Sequence, residues 1–256
     1  MKGSLKKFLN DKVALYNQPD FISEDPISIP HLFTQQQDIE IAGLFAALFA
    51  WGNRTTIINK SKDLLKRMDN APYDFIKNHE EEDLKAILGF KHRTFTETDI
   101  LYFILFLQQH YRHSNTLETA FSQWMEKKDR NITAALNGFH QYFFSLEDAP
   151  RRTRKHIASP NKNSSCKRLN MFLRWMVRKD QMGVDFGIWQ TIRPSQLICP
   201  IDLHVARVAK RFGLLERPNA DWTAAISLTD ELRKFDPEDP VKYDFALFGL
   251  GVVEKF

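Results

Sequence analysis

The segment Pro200–Phe212, PIDLHVARVAKRF, places an aspartate, a histidine and an arginine in the first two turns of a helix. Ile201, Val205, Val208 and Phe212 recur at helical spacing and form a core stripe, which puts Asp202 near the N-cap. Two roles compete for its carboxylate. It can accept backbone amides as a helix cap, or face a cleft as a general base or a stabiliser of developing positive charge. His204 and Arg207 fall on the exposed side, and Asp202 with His204 is too small a ligand set for a metal. A second candidate lies upstream in CKRLNMFLRWMVRK, where Leu169, Phe172, Leu173 and Met176 form the core stripe and Lys167, Asn170, Arg174 and Arg178 a polar one. Lys167 is in the first turn. The helix dipole and neighbours such as Arg168 disfavour a cation there and push a lysine towards the neutral amine that nucleophilic chemistry needs. The competing reading is a surface lysine, or one that grips a phosphate.

The elements that must position these residues are helical almost throughout. DIEIAGLFAALFAWG is apolar over a helix length and predicts a buried central helix. TTIINKSKDLLKRM, TETDILYFILFLQQHYRH, TLETAFSQWMEKK, NITAALNGFHQYFFSL, DWTAAISLTDELRKF and PVKYDFALFGLG continue the helical period, and no period-2 strand longer than four residues stands out. An all-α fold of roughly ten helices is expected.

The chain has 256 residues, enough for a sizeable core, and its 21 Phe predict an aromatic-rich one. With only two cysteines, Cys166 and Cys199, a disulfide scaffold, a four-cysteine zinc site and a four-cysteine iron–sulfur cluster are excluded. The N-terminal segment is too polar for a signal peptide and no apolar run approaches a membrane span, so a cytoplasmic protein is expected. The net charge of +4 is unevenly spread. From Ala149 to Lys179 there is no acidic residue, while Arg151, Arg152, Arg154, Lys155, Lys162, Lys167, Arg168, Arg174, Arg178 and Lys179 are all basic. Such a run is a solvated face or a polyanion-binding one.

A lysine-headed helix followed by an aspartate-headed helix resembles the helix-hairpin-helix DNA glycosylase superfamily, which includes endonuclease III and the 8-oxoguanine glycosylases. More closely, the chain resembles a bacterial DUF2400-like family. CKRLNMFL is similar to the superfamily's hairpin, lysine and helix segment, which implies that Lys167 is the Schiff-base nucleophile. IDLHVARVAKRFGL is similar to its aspartate segment, which implies a catalytic role for Asp202. EIAGLFAALFAWGNRTTIINK resembles a helix pair whose turn probes the DNA. There the resemblance implies contacts from Asn53 and Arg54 and a place for Trp51 near the flipped base. DPVKYDFALFGLG resembles the last helix of the catalytic lobe. The resemblance implies one unit over 1–256, with a helical lobe at 36–150 and a catalytic lobe at 1–35 plus 151–256. Two features depart from the pattern. PNKNSSC stands where the superfamily has a glycine-rich hairpin, so phosphate contact falls to Ser164, Ser165 and the basic loop. The interval between Lys167 and Asp202 exceeds that of endonuclease III, as in the archaeal 8-oxoguanine glycosylases, and the extra residues around VDFGIWQTIRPSQL are expected to form an inserted turn.

The implied activity is base excision with strand nicking on double-stranded DNA that carries a damaged base or abasic site, an oxidised purine such as 8-oxoguanine foremost. A nucleoid-associated monomer needing no metal and no cofactor is expected. DNA-binding roles fall on Arg151, Arg152, Arg154, Lys155, Lys162, Ser164, Ser165, Arg168, His204 and Arg207. Trp175 and Trp189 join Trp51 as stacking candidates, with core packing the alternative for each. Two other functions fit the same residues: a non-catalytic nucleic-acid binder using 149–179, and an all-α scaffold.

Overall fold

The computed structural model describes residues 2–256 and is all-α. Twelve α-helices run in order: α1 Lys2–Tyr16, α2 Asp20–Ser23, α3 Gln36–Phe49, α4 Arg54–Arg67, α5 Pro72–Asn78, α6 Glu97–Tyr111, α7 Glu118–Ser122, α8 Thr133–Phe143, α9 Lys167–Val177, α10 Leu203–Arg211, α11 Trp222–Arg233 and α12 Tyr243–Val252. Short 3₁₀ turns link several of them. The only strands among the described residues are β1 Lys91–His92 and β2 Phe95–Thr96, a tight antiparallel pair with His92 opposite Phe95. None of the helices described is long and apolar enough to cross a membrane.

Helix α3 is the central element. Every residue from Ile39 to Phe49 is buried, as the apolar run predicts. It packs against α4 and α9. Gly43 lets α9 approach closely, because a Cβ there would lie 3.1 Å from the Met176 methyl and 3.4 Å from the Phe172 ring. Helix α10 packs on α12 at Gly251, where a Cβ would lie 3.2 Å from that of His204. Helix α9 is therefore fixed by the central helix and the start of α10 by the C-terminal one.

Two expectations are corrected. TLETAFSQWMEKK yields only the five-residue α7, because the chain turns at Gln123 and Trp124 donates its indole N–H back to the Ala120 carbonyl. The extra residues between α9 and α10, expected as an inserted turn, belong to a long non-α-helical span pinned by buried carboxylates. Glu118 accepts the amides of Gln190, Thr191 and Ile192 at 3.2, 2.6 and 3.1 Å. Glu40 accepts the Trp189 indole N–H at 2.7 Å, together with the Tyr111 hydroxyl and the Leu117 amide. Backbone groups that a helix would have satisfied internally are satisfied here by side chains.

Candidate active site

The site begins at a turn. Asn163 and Cys166 have φ of +54° and +51°, the left-handed conformation that glycine takes at little cost and that other residues adopt less readily. The glycine-free stretch PNKNSSC therefore still makes a sharp hairpin, and Asn163, one of the residue types best suited to that region, occupies the first position. Asn170, one turn into α9, donates to the Ser165 carbonyl at 3.1 Å, and the Ser164 hydroxyl accepts the Cys166 amide at 3.2 Å. No side chain caps α9, which leaves its first amides and the positive end of its dipole at the hairpin.

Lys167 is the first residue of α9, and its Nζ lies 2.7 Å from Oδ2 of Asp202. The other oxygen, Oδ1, accepts the amides of His204 and Val205, each at 2.9 Å. The two roles weighed for Asp202 are thus held by one carboxylate, one oxygen capping α10 and one facing the lysine. Burial raises the Asp202 pKa, but the Lys167 charge and hydrogen bond and the Val205 amide outweigh it, so the carboxyl is held below its ordinary value. The lysine's charge partner is a carboxylate rather than the basic neighbours stressed by the sequence. The side chains of Lys167 and Asp202 remain 32% and 22% exposed, so the pair is open to a substrate.

The pair opens into a cleft of about 780 Å³. The α3–α4 turn contributes Trp51 and Gly52, the β-hairpin Thr94, the basic loop Lys155 and His156, the α9 hairpin Ser164 and Ser165, and α10 Leu203 and His204. Most of α9 and α10 thus does structural work, while their N-terminal ends face one concavity lined by cations and hydroxyls.

A family model covers residues 25–253, which includes every wall of this cleft. The chain belongs to the family described as protein of unknown function (DUF2400). No curated protein and no solved structure matches it.

Within this DUF2400 chain the predicted residues divide. Lys167, Asp202, Ser164, Ser165, Lys155, His204 and Trp51 meet at the cleft. Trp51 is 57% exposed, on the rim rather than in the core. Trp175 and Trp189 are corrected: both are buried in the core, and Trp189 is occupied by Glu40, so neither can stack on a base. Arg168 lines the cleft, but its Nη1 donates to the Leu48 carbonyl at 2.6 Å, tying α9 to the end of α3. Arg152 is tied to Asp99 at 3.2 Å and to the Thr94 carbonyl at 3.1 Å. Arg154 stacks on Phe144 and Arg54 on Phe248, with guanidinium-to-ring distances of 4.9 and 5.0 Å. Arg207 holds the C-terminal residues through the Gly251 and Phe256 carbonyls. Asn53 caps α4 through the Thr56 amide. Arg151, Lys155 and Lys162 remain exposed.

The basic run does not continue as a surface along α9. Arg174 and Arg178 are buried and paired with Asp185, Asp244 and Asp239, at distances from 2.5 to 3.2 Å. The sequence reading missed these carboxylates, and Glu40 as well. Only Glu40 carried a local signal, as an acidic residue embedded in an otherwise apolar helix.

Proposed function

We propose that the chain is a DNA glycosylase with associated strand-nicking activity, of the helix-hairpin-helix type, that removes a damaged base through a Schiff base on Lys167. An oxidised purine such as 8-oxoguanine is the proposed substrate class. The observation that carries this reading is the 2.7 Å pairing of Lys167 with Asp202 at the mouths of two helices in one cationic cleft. A flipped nucleotide brings C1′ of its sugar to these groups. Loss of one proton to water frees the lysine lone pair and leaves Asp202 ionised. The amine then forms the N–C1′ bond while the bond from C1′ to the base breaks, and the new C1′-bound ammonium gives up a proton to the departing base. The remaining ionised carboxylate stabilises positive charge that develops on the sugar. Opening of the sugar gives the Schiff base, and β-elimination removes a C2′ proton to water, forms the C2′=C3′ double bond and breaks the C3′–O bond, which expels the 3′-phosphate and nicks the strand. Free amide groups at the α9 hairpin, with Ser164 and Ser165, supply phosphate contacts.

The mutual satisfaction of Lys167 and Asp202 also favours a second reading, a nucleic-acid binder in which the pair is structural. Strand cleavage at an abasic site separates the two. Lys167→Gln is expected to abolish cleavage while duplex affinity stays within a few-fold of wild type. Undiminished cleavage in that variant would remove the lysine from the chemistry.

A further inference from the structure

The rim of the cleft carries a device that the chemistry at Lys167 does not use. Trp51 stands exposed at the turn between α3 and α4, and the guanidinium of Arg93 lies over its indole, 5.8 Å from the ring centroid. Arg93 sits at the tip of the β1–β2 hairpin with φ +54°, a conformation that arginine adopts rarely. It makes no side-chain hydrogen bond or ion pair among the described residues. The hairpin is itself anchored, since the His92 ring donates to the Phe49 carbonyl at 3.0 Å, at the end of α3. Gly52 completes the arrangement. Its φ is +110°, and a Cβ there would stand 1.9 Å from Arg93 Nη2. The absence of a side chain at position 52 is what allows Arg93 to lie against Trp51.

A strained tip, a glycine seat and a guanidinium with no polar partner, converging on one exposed indole, are costly to maintain for packing alone. One face of the indole is backed by the cation and much of its surface is open. An unstacked nucleobase fits such a surface, because every base offers a π-face and a cation behind an aromatic ring strengthens and orients it. We infer that Trp51 backed by Arg93 is a stacking platform for an unpaired base at the mouth of the cleft, and that Arg93 is its positioning residue. The inference rests on the DNA reading proposed above and adds a requirement: the platform recognises DNA in which a base has lost its partner, not duplex DNA in general.

The test is a set of anisotropy titrations of the full chain. The ligands are a duplex with a tetrahydrofuran abasic analogue and an intact duplex of the same sequence. Trp51→Ala is expected to weaken binding to the abasic duplex by roughly tenfold, the size of one base–aromatic stack. Arg93→Ala should weaken it about threefold, with affinity for the intact duplex changed by less than twofold. Arg93→Lys keeps the charge but loses the flat stacking surface, so the lost discrimination should not return. Gly52→Ala, which displaces the guanidinium, should reproduce Arg93→Ala. Equal losses on both duplexes, restored by Arg93→Lys, would make Arg93 a plain phosphate contact and overturn the platform. Unchanged discrimination in Trp51→Ala and Arg93→Ala would overturn it while leaving the DNA reading intact. Failure of the wild-type chain to bind either duplex would instead bring down the DNA reading, and the platform with it.

Discussion

Asp202 divides its work between its two oxygens, and that division makes its roles separable. Asn at this position keeps an acceptor for the amides of His204 and Val205 but removes the charge opposite Lys167. Asp202→Asn is expected to cut strand cleavage by about 100-fold or more, in keeping with the loss of a group that stabilises developing charge. At neutral pH it should also lower the urea midpoint modestly, because the charge interaction with Lys167 is lost. Asp202→Ala removes the cap as well and should cost about 1 kcal/mol in urea unfolding. The pH dependence has a definite sign. The folded carboxyl is held below its ordinary value, so its stabilising contribution is complete above the unfolded pKa, near 4. It is lost as pH falls through the lower folded value. The stability difference between wild type and Asp202→Asn should therefore narrow on acidification below about pH 4, as read from urea midpoints. A difference that widens there would reverse the assigned sign.

At the scale of elements, α9 does two jobs on two stretches of one face. Its first residue meets the substrate cleft, and its later arginines fasten the core. Replacing Arg174 by Met leaves Asp244 without a charge partner in the interior, while Asp185 keeps only Arg178. Removal of one member of a buried ion network costs about 3–5 kcal/mol, so Arg174→Met should lower the urea midpoint strongly; a loss below about 1 kcal/mol would mean that the network relaxes or takes up water. The polar stripe of Lys167, Asn170, Arg174 and Arg178 is readable from helical spacing. Its division into a cleft end and a buried end is not, since the deciding partners Asp185, Asp239 and Asp244 lie in later segments and meet α9 only in the fold. The same limit applies to Trp189. Its helix-free surroundings look like a loop in sequence, but Glu40, distant along the chain, draws the indole inward. By contrast, the buried α3 and the cap on α10 follow from patterns within a few turns, where periodicity and capping chemistry act locally. The hairpin before α9 escapes a reading that looks for glycine as the marker of left-handed backbone, because Asn163 and Cys166 supply that conformation instead.

For the whole molecule, the net charge is a modest +4, so the proposed function turns on which cations stay exposed. Arg151, Lys155 and Lys162 stay exposed while several neighbouring arginines are tied into the fold. Duplex affinity should fall steeply with salt, and converting these three residues to Ala should reduce the slope of log K against log salt by up to about 3, close to one for each phosphate no longer neutralised. An unchanged slope would place the DNA elsewhere on the surface. The most direct measurement is borohydride trapping of the full chain on duplexes containing an abasic site or 8-oxoguanine. The proposed chemistry predicts a reduced covalent adduct in wild type that disappears in Lys167→Gln, with DNA binding retained. An adduct that persists in Lys167→Gln, or none in a wild-type chain that binds the same duplex tightly, would contradict the assignment of Lys167 as the nucleophile.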